Sequence, residues 1–219
     1  MKNLFFLTLL GVCASIYILV SAQSGGPATN MALDPDKTDF PENVQEATFG
    51  AGCFWCVEEF FHQTPGVVST LSGYMGGKQE TATYDYVKTG RTDHVEVVHV
   101  YFDPAQITFD QLLDRFFELH DPTTLNRQGA DRGTQYRSVI FYRGDDQKAA
   151  SESKIAELTE AEKFEDPIVT AIEPADKFYL AEEYHQNYAR LNPDNPYLKN
   201  VLYPKLKKVG LEIPKSGGE

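Results

Sequence analysis

Short apolar runs, separated by glycine and proline turns, divide most of this chain into alternating strand-like and helix-like segments. Runs rich in β-branched and aromatic residues predict strands at 46–52, 67–77 (ending in a glycine turn), 94–104, 138–142 and 167–172. Helical spacing predicts helices at 53–63, 108–122, 145–164 and 179–193. Thr108 and Gln111 have the spacing of a capping box at the second of these helices. The mixture predicts an α/β (α+β) domain, a two-layer sandwich with helices packed on a mixed β-sheet.

The N-terminus has a different pattern from the rest of the chain. A long apolar run at residues 4–20 follows Lys2, and the small residues Ser21 and Ala22 precede Gln23. This arrangement predicts an export signal at residues 1–22, and the alternative is an uncleaved membrane anchor through residues 4–20. Either interpretation places the protein outside the cytoplasm, in a periplasmic or other extracytoplasmic location.

Three further segments follow the leader. Residues 23–44 are polar and rich in proline, glycine and aspartate, which predicts a flexible linker. The globular domain is expected at residues 45–211, and residues 212–219 are expected to be a disordered tail. We expect one domain and a monomer.

Charge excludes one class of function. The 219 residues have a formal net charge of −12, with 42% hydrophobic and 24% charged residues. These proportions are typical of a globular protein. A strongly acidic chain lacks the cations that neutralise a row of phosphates, so nucleic acid is not an expected partner.

Two cysteines remain once the leader, with Cys13, is set aside. Cys53 and Cys56 lie three positions apart in GCFWC, after a strand and at the start of a helix. Unpaired backbone N–H groups and the positive end of the helix dipole meet there, so we expect a depressed pKa and a nucleophilic thiolate for Cys53. A structural disulfide or two buried thiols are the alternatives. A zinc site would need two further ligands, and the five histidines show no paired spacing.

Glu96 and a polar loop are the other candidates for chemistry. Glu96 alternates with Val98, Val100 and Phe102 on one face of the predicted strand. Burial there would raise the pKa of its carboxyl and suit it to act as a general acid, whereas the alternative is a glutamate that reaches solvent or an arginine. The loop at 120–138 is long and polar, and such loops often have functional residues.

The segment FGAGCFWCVEEFF resembles the active-site segment of the A-type peptide methionine sulfoxide reductases. The resemblance continues in family order through GVVSTLSGYMGG, TYDYVKTGRTDHVEVVHVYFDP, FFELHDPT, RQGADRGTQYRS and EEYHQNY, and it covers roughly residues 46–191. It implies a two-layer sandwich with a mixed sheet, for which we expect a ferredoxin-like plait core. It also implies reduction of methionine (S)-sulfoxide, free or in oxidised proteins, to methionine, which is a protein-repair activity.

The resemblance also implies roles for individual residues. Cys53 matches the family's nucleophile, and Glu96 matches the acid that protonates the sulfoxide oxygen. Tyr84 and Tyr136 match two hydroxyls that hydrogen-bond that oxygen. Asp131 matches a carboxylate that holds the polar network of the site. On pattern alone, the two tyrosines and Asp131 are weak signals.

The resemblance further implies how the substrate is enclosed and how the enzyme is recycled. Phe54 and Trp55 match the aromatic walls around the substrate's S-methyl group. Reduction leaves Cys53 as a sulfenic acid, and Cys56 is the only thiol available to resolve it as a disulfide, because the tail after residue 200 has no cysteine. An external dithiol such as thioredoxin then reduces the disulfide, and no metal or other cofactor is implied.

The chain departs from the family pattern at three positions. Much of the family has glycine at the position of Cys56, so its resolving role rests on its proximity to Cys53 and on the lack of a competing thiol. Asp93 and Val95 stand where glycine and alanine are common. We expect small local differences there, with Glu96 retained as the acid.

Three other functional classes remain open on the residues alone. A thiol–disulfide oxidoreductase fits Cys-x-x-Cys after a strand but would not need Glu96 or aromatic walls, and it would not release methionine. A hydrolase would pair Cys53 with a histidine, and its activity would be lost when the histidines are replaced. A binding module without catalysis would tolerate Cys53→Ser.

Overall fold

The computed structural model describes residues 43–215, and its centre is a six-stranded sheet. The strands in chain order are β1 (Gln45–Ala51), β2 (Val67–Met75), β3 (Val95–Phe102), β4 (Arg127–Gln128), β5 (Asp131–Arg132), β6 (Ser138–Tyr142), β7 (Ala171–Pro174) and β8 (Tyr179–Leu180). The sheet order is β7-β6-β1-β3-β2-β8, and β4 and β5 form a separate hairpin. Only β6 and β7 are parallel, so the sheet is mixed, as the sequence predicts.

Six α-helices and three 3₁₀ turns accompany the strands in the described part of the chain. The helices are α1 (Phe54–His62), α2 (Tyr84–Val87), α3 (Phe109–Leu119), α4 (Gly144–Glu160), α5 (Tyr188–Leu191) and α6 (Pro196–Lys208). The 3₁₀ turns are Gln79–Thr81, Thr134–Tyr136 and Glu183–His185. The order β1-α1-β2-β3-α3-β6 with spatial order β6-β1-β3-β2 is the ferredoxin-like plait, which confirms the expected fold.

Aromatic packing joins the first and second helices of the plait to the sheet. Phe49 of β1 stacks on Phe61 of α1 and on Phe116 of α3, with ring centroids 5.1 and 5.2 Å apart. All three rings are fully buried, and such burial contributes about 1.5–3 kcal/mol for each side chain. The predicted capping box is present: Gln111 N–H donates to Thr108 Oγ1 at 3.2 Å, and Thr108 N–H donates to Gln111 Oε1 at 2.9 Å.

The sheet has two apolar faces, and they determine where Glu96 points. Val98 and Val100 of β3 pack with the helices, whereas Val95 and Val97 belong to a smaller cluster on the opposite face. Successive residues of a strand alternate between faces. Glu96 therefore faces the helix layer, where it lies opposite Tyr74 across the β2–β3 pair.

The predicted helix at 179–193 is wrong. Residues 179 and 180 instead form the edge strand β8 beside β2, and a 3₁₀ turn and the short α5 follow. The Gln186 side chain explains the difference, because its amide donates to the carbonyls of Ser72 and Ala181 and accepts from Ser72 N–H. These bonds give the backbone non-helical partners. The predicted strand at 167–172 is found at 171–174.

The last helix, α6, is absent from the sequence-based prediction. It begins with a proline at the first helical position, and the Asn195 side chain accepts a hydrogen bond from Tyr197 N–H at 2.8 Å. Both features favour a helix start. Leu198, Leu202 and Leu206 bury one face of α6 against the core, although Pro204 lies inside the helix.

The predicted leader, at 1–22, lies outside the described residues, as do most of the predicted linker and residues 216–219. Glu212 lies one residue beyond the expected end of the domain and still exchanges two hydrogen bonds with the Gln63 side chain, both 2.8 Å. Across residues 43–215, no helix has the length and apolar character needed to cross a membrane.

Candidate active site

Cys53 lies at the junction of β1 and α1, as the sequence predicts. Its carbonyl accepts hydrogen bonds from Cys56 N–H and Val57 N–H, so Cys53 is the N-terminal cap of α1. Gly52 has a φ of +93°, and a Cβ added there would lie 2.7 Å from Gln128. Glycine therefore lets the end of β1 approach the β4–β5 hairpin closely. That hairpin includes Asp131.

The two thiols at the start of α1 differ in accessibility. Cys53 is partly exposed, whereas Cys56 is 4% exposed, and both are free thiols. Burial raises the pKa of the Cys53 thiol well above its ordinary value, and the Cys56 thiol adds to the rise. The expected depressed pKa is therefore wrong for this structure. The backbone N–H of Trp55 and the Tyr197 hydroxyl both lower the pKa of Cys53, but desolvation outweighs them.

Glu96 is buried beside Cys53. It is 2% exposed, and its Oε2 accepts a hydrogen bond from Phe54 N–H at 3.2 Å. Burial raises the pKa of the Glu96 carboxyl well above its ordinary value, and the charges of Cys53 and Asp131 add to the rise. The sequence-based expectation of a raised pKa is confirmed. Glu96 thus keeps its proton to a higher pH than an exposed glutamate does, and it lies next to a thiol.

Two phenols predicted to belong to the site are gathered around this acid. Tyr84 is the first residue of α2, and Tyr136 ends the 3₁₀ turn that packs on β3. Burial raises the pKa of both phenols, and the charges of Glu96 and Cys53 are the next causes for each. The structure therefore brings both hydroxyl-bearing side chains to the same acid and thiol, although their segments are far apart in sequence.

Tyr197 is a site residue that sequence reasoning missed. Its hydroxyl donates to Asp131 Oδ2 at 2.5 Å, and its proximity to the Cys53 thiol opposes the rise in the pKa of that thiol. Tyr197 therefore lies near both cysteines and is hydrogen-bonded to Asp131, the carboxylate expected from the resemblance. Tyr197 belongs to the unpredicted α6, so no local pattern indicated it. Only the docking of α6 against α1 brings this phenol to the site.

Phe54 and Trp55 form an aromatic wall with partners from the segment before α6. Phe54 is 1% exposed, and its ring lies 5.8 Å from the Tyr74 ring. Trp55 is partly buried and stacks on Tyr188 with ring centroids 3.7 Å apart. Its indole N–H donates to His185 Nδ1 at 3.0 Å. Sequence reasoning did not single out Tyr188 or His185, although both lie in the EEYHQNY segment.

Two buried or half-buried carboxyl groups hold the segment at 182–188 against the site. Glu182 accepts from the Tyr74 hydroxyl and from Tyr84 N–H, both at 2.9 Å. Glu58 of α1 accepts from the backbone N–H of Asn187 at 2.9 Å. Asn187 has a left-handed conformation with a φ of +53° and directly precedes Tyr188. The two carboxyl groups therefore determine where α2 and Tyr188 meet the aromatic wall.

Within residues 43–215, no histidine is among the groups that shift the pKa of Cys53. His185, which packs against Phe54 and Trp55, has its Nδ1 engaged by the Trp55 indole. The groups that shift the pKa of Cys53 are Cys56, Trp55 and Tyr197. Within residues 43–215, no three His, Cys, Asp or Glu side chains are placed to share a metal ion. The geometry favours a thiol working with a buried carboxylic acid.

Comparison with known proteins identifies the family. The family model described as peptide methionine sulfoxide reductase matches residues 45–215. The chain is 58% identical over 159 residues to peptide methionine sulfoxide reductase MsrA of Methanothermobacter thermautotrophicus, covering 72% of this chain and 94% of that relative.

Solved structures give the same result. Mxr1 of Saccharomyces cerevisiae in reduced form matches with a TM-score of 0.66 and 39% identity, covering 71% of this chain and 90% of that one. The structure of Mxr1 in complex with Trx2 matches with a TM-score of 0.50 and 30% identity, covering 71% and 91%. This chain therefore belongs to the peptide methionine sulfoxide reductase family of oxidoreductases.

Proposed function

We propose that this enzyme reduces the S epimer of methionine sulfoxide, free or in oxidised proteins, with Cys53 as nucleophile and Glu96 as general acid. The observation that supports this most directly is the pairing of a partly exposed thiol with a buried carboxyl of raised pKa, beneath an aromatic wall. A sulfoxide sulfur is a poor electrophile until its oxygen gains a proton. A protonated carboxyl supplies that proton at neutral pH.

The proposed step transfers the sulfoxide oxygen from the substrate to Cys53. Glu96 protonates the sulfoxide oxygen while Tyr84 and Tyr136 hydrogen-bond to it, and the Cys53 sulfur attacks the substrate sulfur. The substrate S–O bond breaks, the oxygen bonds to the Cys53 sulfur, and the transient bond between the two sulfurs breaks to release methionine. Cys53 is left as a sulfenic acid, having lost the two electrons that the substrate sulfur gains. The Cys53 thiol must also lose its proton. Asp131, reached through the Tyr197 hydroxyl, is the carboxylate placed to accept it.

The aromatic wall binds the substrate's methyl group, and Cys56 recycles the enzyme. Phe54 and Trp55 receive the S-methyl group, since an apolar group gains by burial against aromatic rings. Cys56, whose backbone N–H donates to the Cys53 carbonyl at 3.1 Å, attacks the sulfenic sulfur, which releases water and forms a Cys53–Cys56 disulfide. A thioredoxin-like dithiol then reduces the disulfide and is itself oxidised. Mxr1, a structural relative, has been solved in complex with Trx2.

The reaction and the resolving pair are tested together by mixing reduced enzyme with excess S-epimer N-acetylmethionine sulfoxide and no reductant. We expect about one equivalent of N-acetylmethionine and the loss of two hydrogens from the protein, mapped to a Cys53–Cys56 bond by mass spectrometry. The R epimer is the control and should give no product. Disulfide exchange with unrelated substrates, without release of methionine, would favour the thiol–disulfide oxidoreductase instead.

Cys56→Ser is expected to complete one turnover and then stop. The nucleophile and the acid remain, but no thiol is left to condense with the sulfenic acid. With thioredoxin as the only reductant, product should level off at about one equivalent, and dimedone should label Cys53. Multiple turnovers at the wild-type rate would show that Cys56 is not the resolving thiol.

We further propose that the protein acts outside the cytoplasm as a monomer, with residues 1–22 as a signal or membrane anchor. The apolar run at 4–20 supports this. The electron donor is then a dithiol protein of that compartment. N-terminal sequencing of the protein from its native cell distinguishes a chain that begins at Gln23 from one that retains Met1.

A further inference from the structure

The indole of Trp55 is held from three directions. Its face stacks on Tyr188, with centroids 3.7 Å apart and planes within 10°. The Tyr197 ring meets it edge-on at 6.2 Å. Its single polar atom, Nε1, donates to His185 Nδ1 at 3.0 Å. Because Trp55 is the only tryptophan of the chain, any tryptophan signal of this protein reports on this contact alone.

The Trp55 contact specifies the protonation state of His185. An indole N–H can only donate, so Nδ1 of His185 must have a free lone pair. The proton of the neutral imidazole is therefore on Nε2. That atom is buried, has no hydrogen-bond partner among the described residues, and lies 3.9 Å from Glu182 Oε2, too far for a hydrogen bond. A doubly protonated ring would present N–H to N–H and lose the contact.

His185 also joins the rings that surround the site. It is fully buried, and its ring lies 4.9 Å from Phe54, 4.6 Å from Tyr84 and 4.1 Å from Tyr184. Substitution of this imidazole would therefore disturb three parts of the aromatic wall at once.

The charged and titratable groups around His185 are few. Glu182 is the nearby carboxylate, Tyr84 and Tyr184 present phenols, and Lys88 lies over the Tyr84 ring at 5.4 Å. The residues that face it from α1 are Phe54 and Trp55, which do not titrate. Burial lowers the pKa of His185, and Glu182 opposes this. The ring is consequently neutral at neutral pH.

We propose that His185 is a positioning residue whose neutral Nε2–H tautomer holds the Trp55 indole in the substrate-facing wall and whose protonation releases it. The hydrogen bond and the surrounding contacts do not depend on the reaction, whereas the consequence for substrate binding rests on the proposed function. The inference makes substrate affinity, rather than the chemical step, sensitive to His185.

Tryptophan fluorescence of the full-length enzyme tests the hydrogen bond directly. As the pH falls below about 6.5, the wild type should show a reversible transition in emission while far-UV circular dichroism stays unchanged. His185→Gln should lack this transition, because an amide oxygen accepts from the indole but does not titrate. His99→Gln is the matched control: His99 is also buried, but it packs with Phe178 on the opposite face of the sheet, and the transition should persist. A transition that survives in His185→Gln overturns the proposal.

Kinetics test the consequence for the substrate. His185→Phe retains a buried ring but removes the acceptor, so KM for S-epimer N-acetylmethionine sulfoxide should rise about tenfold, the equivalent of one lost hydrogen bond, with kcat within about twofold. His185→Gln removes the ring but keeps an acceptor for the indole, so its KM should rise less than that of His185→Phe. A fall in kcat with an unchanged KM in His185→Phe would contradict a positioning role.

Nitrogen-15 NMR of the wild type provides a test that needs no variant. The protein has one indole N–H cross-peak, and the His185 ring should show a protonated Nε2 and an unprotonated Nδ1 at neutral pH. An Nδ1–H tautomer would overturn the proposal. Neither NMR nor fluorescence uses substrate, so a protein that fails to reduce methionine sulfoxide would refute the proposed function and still decide the role of His185.

Discussion

Cys53→Ser is expected to abolish reduction of methionine sulfoxide, with turnover falling by about 10⁴-fold or more. A serine hydroxyl keeps its proton at neutral pH and is a far weaker nucleophile toward sulfur than a thiolate, so neither Glu96 nor the aromatic wall can compensate. The measurement is release of N-acetylmethionine from the S epimer, with thioredoxin and its reductase as the electron source.

Cys56→Ser is the matched control for this loss, because it removes the neighbouring thiol and leaves the nucleophile. It should still give its single equivalent of product, whereas Cys53→Ser gives none. Circular dichroism should show both variants folded, since Cys53 caps α1 with its backbone carbonyl rather than its side chain. Substantial turnover in Cys53→Ser would mean that the proposed nucleophile is not the reacting group and would favour a binding module.

Glu96→Gln should lower kcat by about 10²–10⁴-fold while substrate binding is retained. The amide can still accept the Phe54 N–H bond, which is 3.2 Å in the wild type, but it has no proton of suitable acidity for the sulfoxide oxygen. We therefore expect kcat to fall with KM almost unchanged. An unchanged kcat would exclude Glu96 as the general acid.

The pH profile gives a second measure of Glu96. Burial raises its pKa, so the carboxyl keeps its proton to a higher pH than an exposed glutamate and loses it as the pH rises through that raised value. The wild-type rate should consequently fall on the alkaline side, and Glu96→Gln should lack that limb.

Glu58→Gln is the control for a generic effect of losing a buried carboxyl. Burial raises the pKa of Glu58 to about 8, and its Oε2 accepts from Asn187 N–H rather than from a group beside Cys53. A glutamine can still accept that bond, so activity should change less than about threefold, and the alkaline limb should remain. A loss as large as that of Glu96→Gln would mean that the effect is structural.

The plait was predictable because its signals are local. The capping box of α3 spans four residues, and the alternation along β3 places Glu96 on the same face as Val98 and Val100 before any tertiary contact is considered. The segment at 179–193 resisted prediction because the Gln186 side chain binds the backbone of β2, more than a hundred residues away. The helical spacing of residues in that segment does not indicate that Gln186 binds β2.

The residues of the site also fall into those that the sequence indicated and those that only the structure revealed. The motif and the family resemblance indicated Cys53, Glu96, Tyr84, Asp131 and Tyr136, and the structure brings these residues together. Tyr197 and His185 could not be found from patterns, because their roles depend on the docking of α6 and of the preceding turn against α1. The expected low pKa of Cys53 failed for a related reason: it considered the helix N-terminus and ignored burial.

By itself, the sequence determined the thiol spacing, the residues that share a strand face with Glu96 and the order of the plait elements, since each depends on the periodicity of a helix or a strand. Only the tertiary structure decided the protonation of the site. Desolvation sums over every atom that the fold places around a group, and it raises the pKa of both the Cys53 thiol and the Glu96 carboxyl. The tautomer of His185 likewise follows from one contact with Trp55 across 130 residues of sequence.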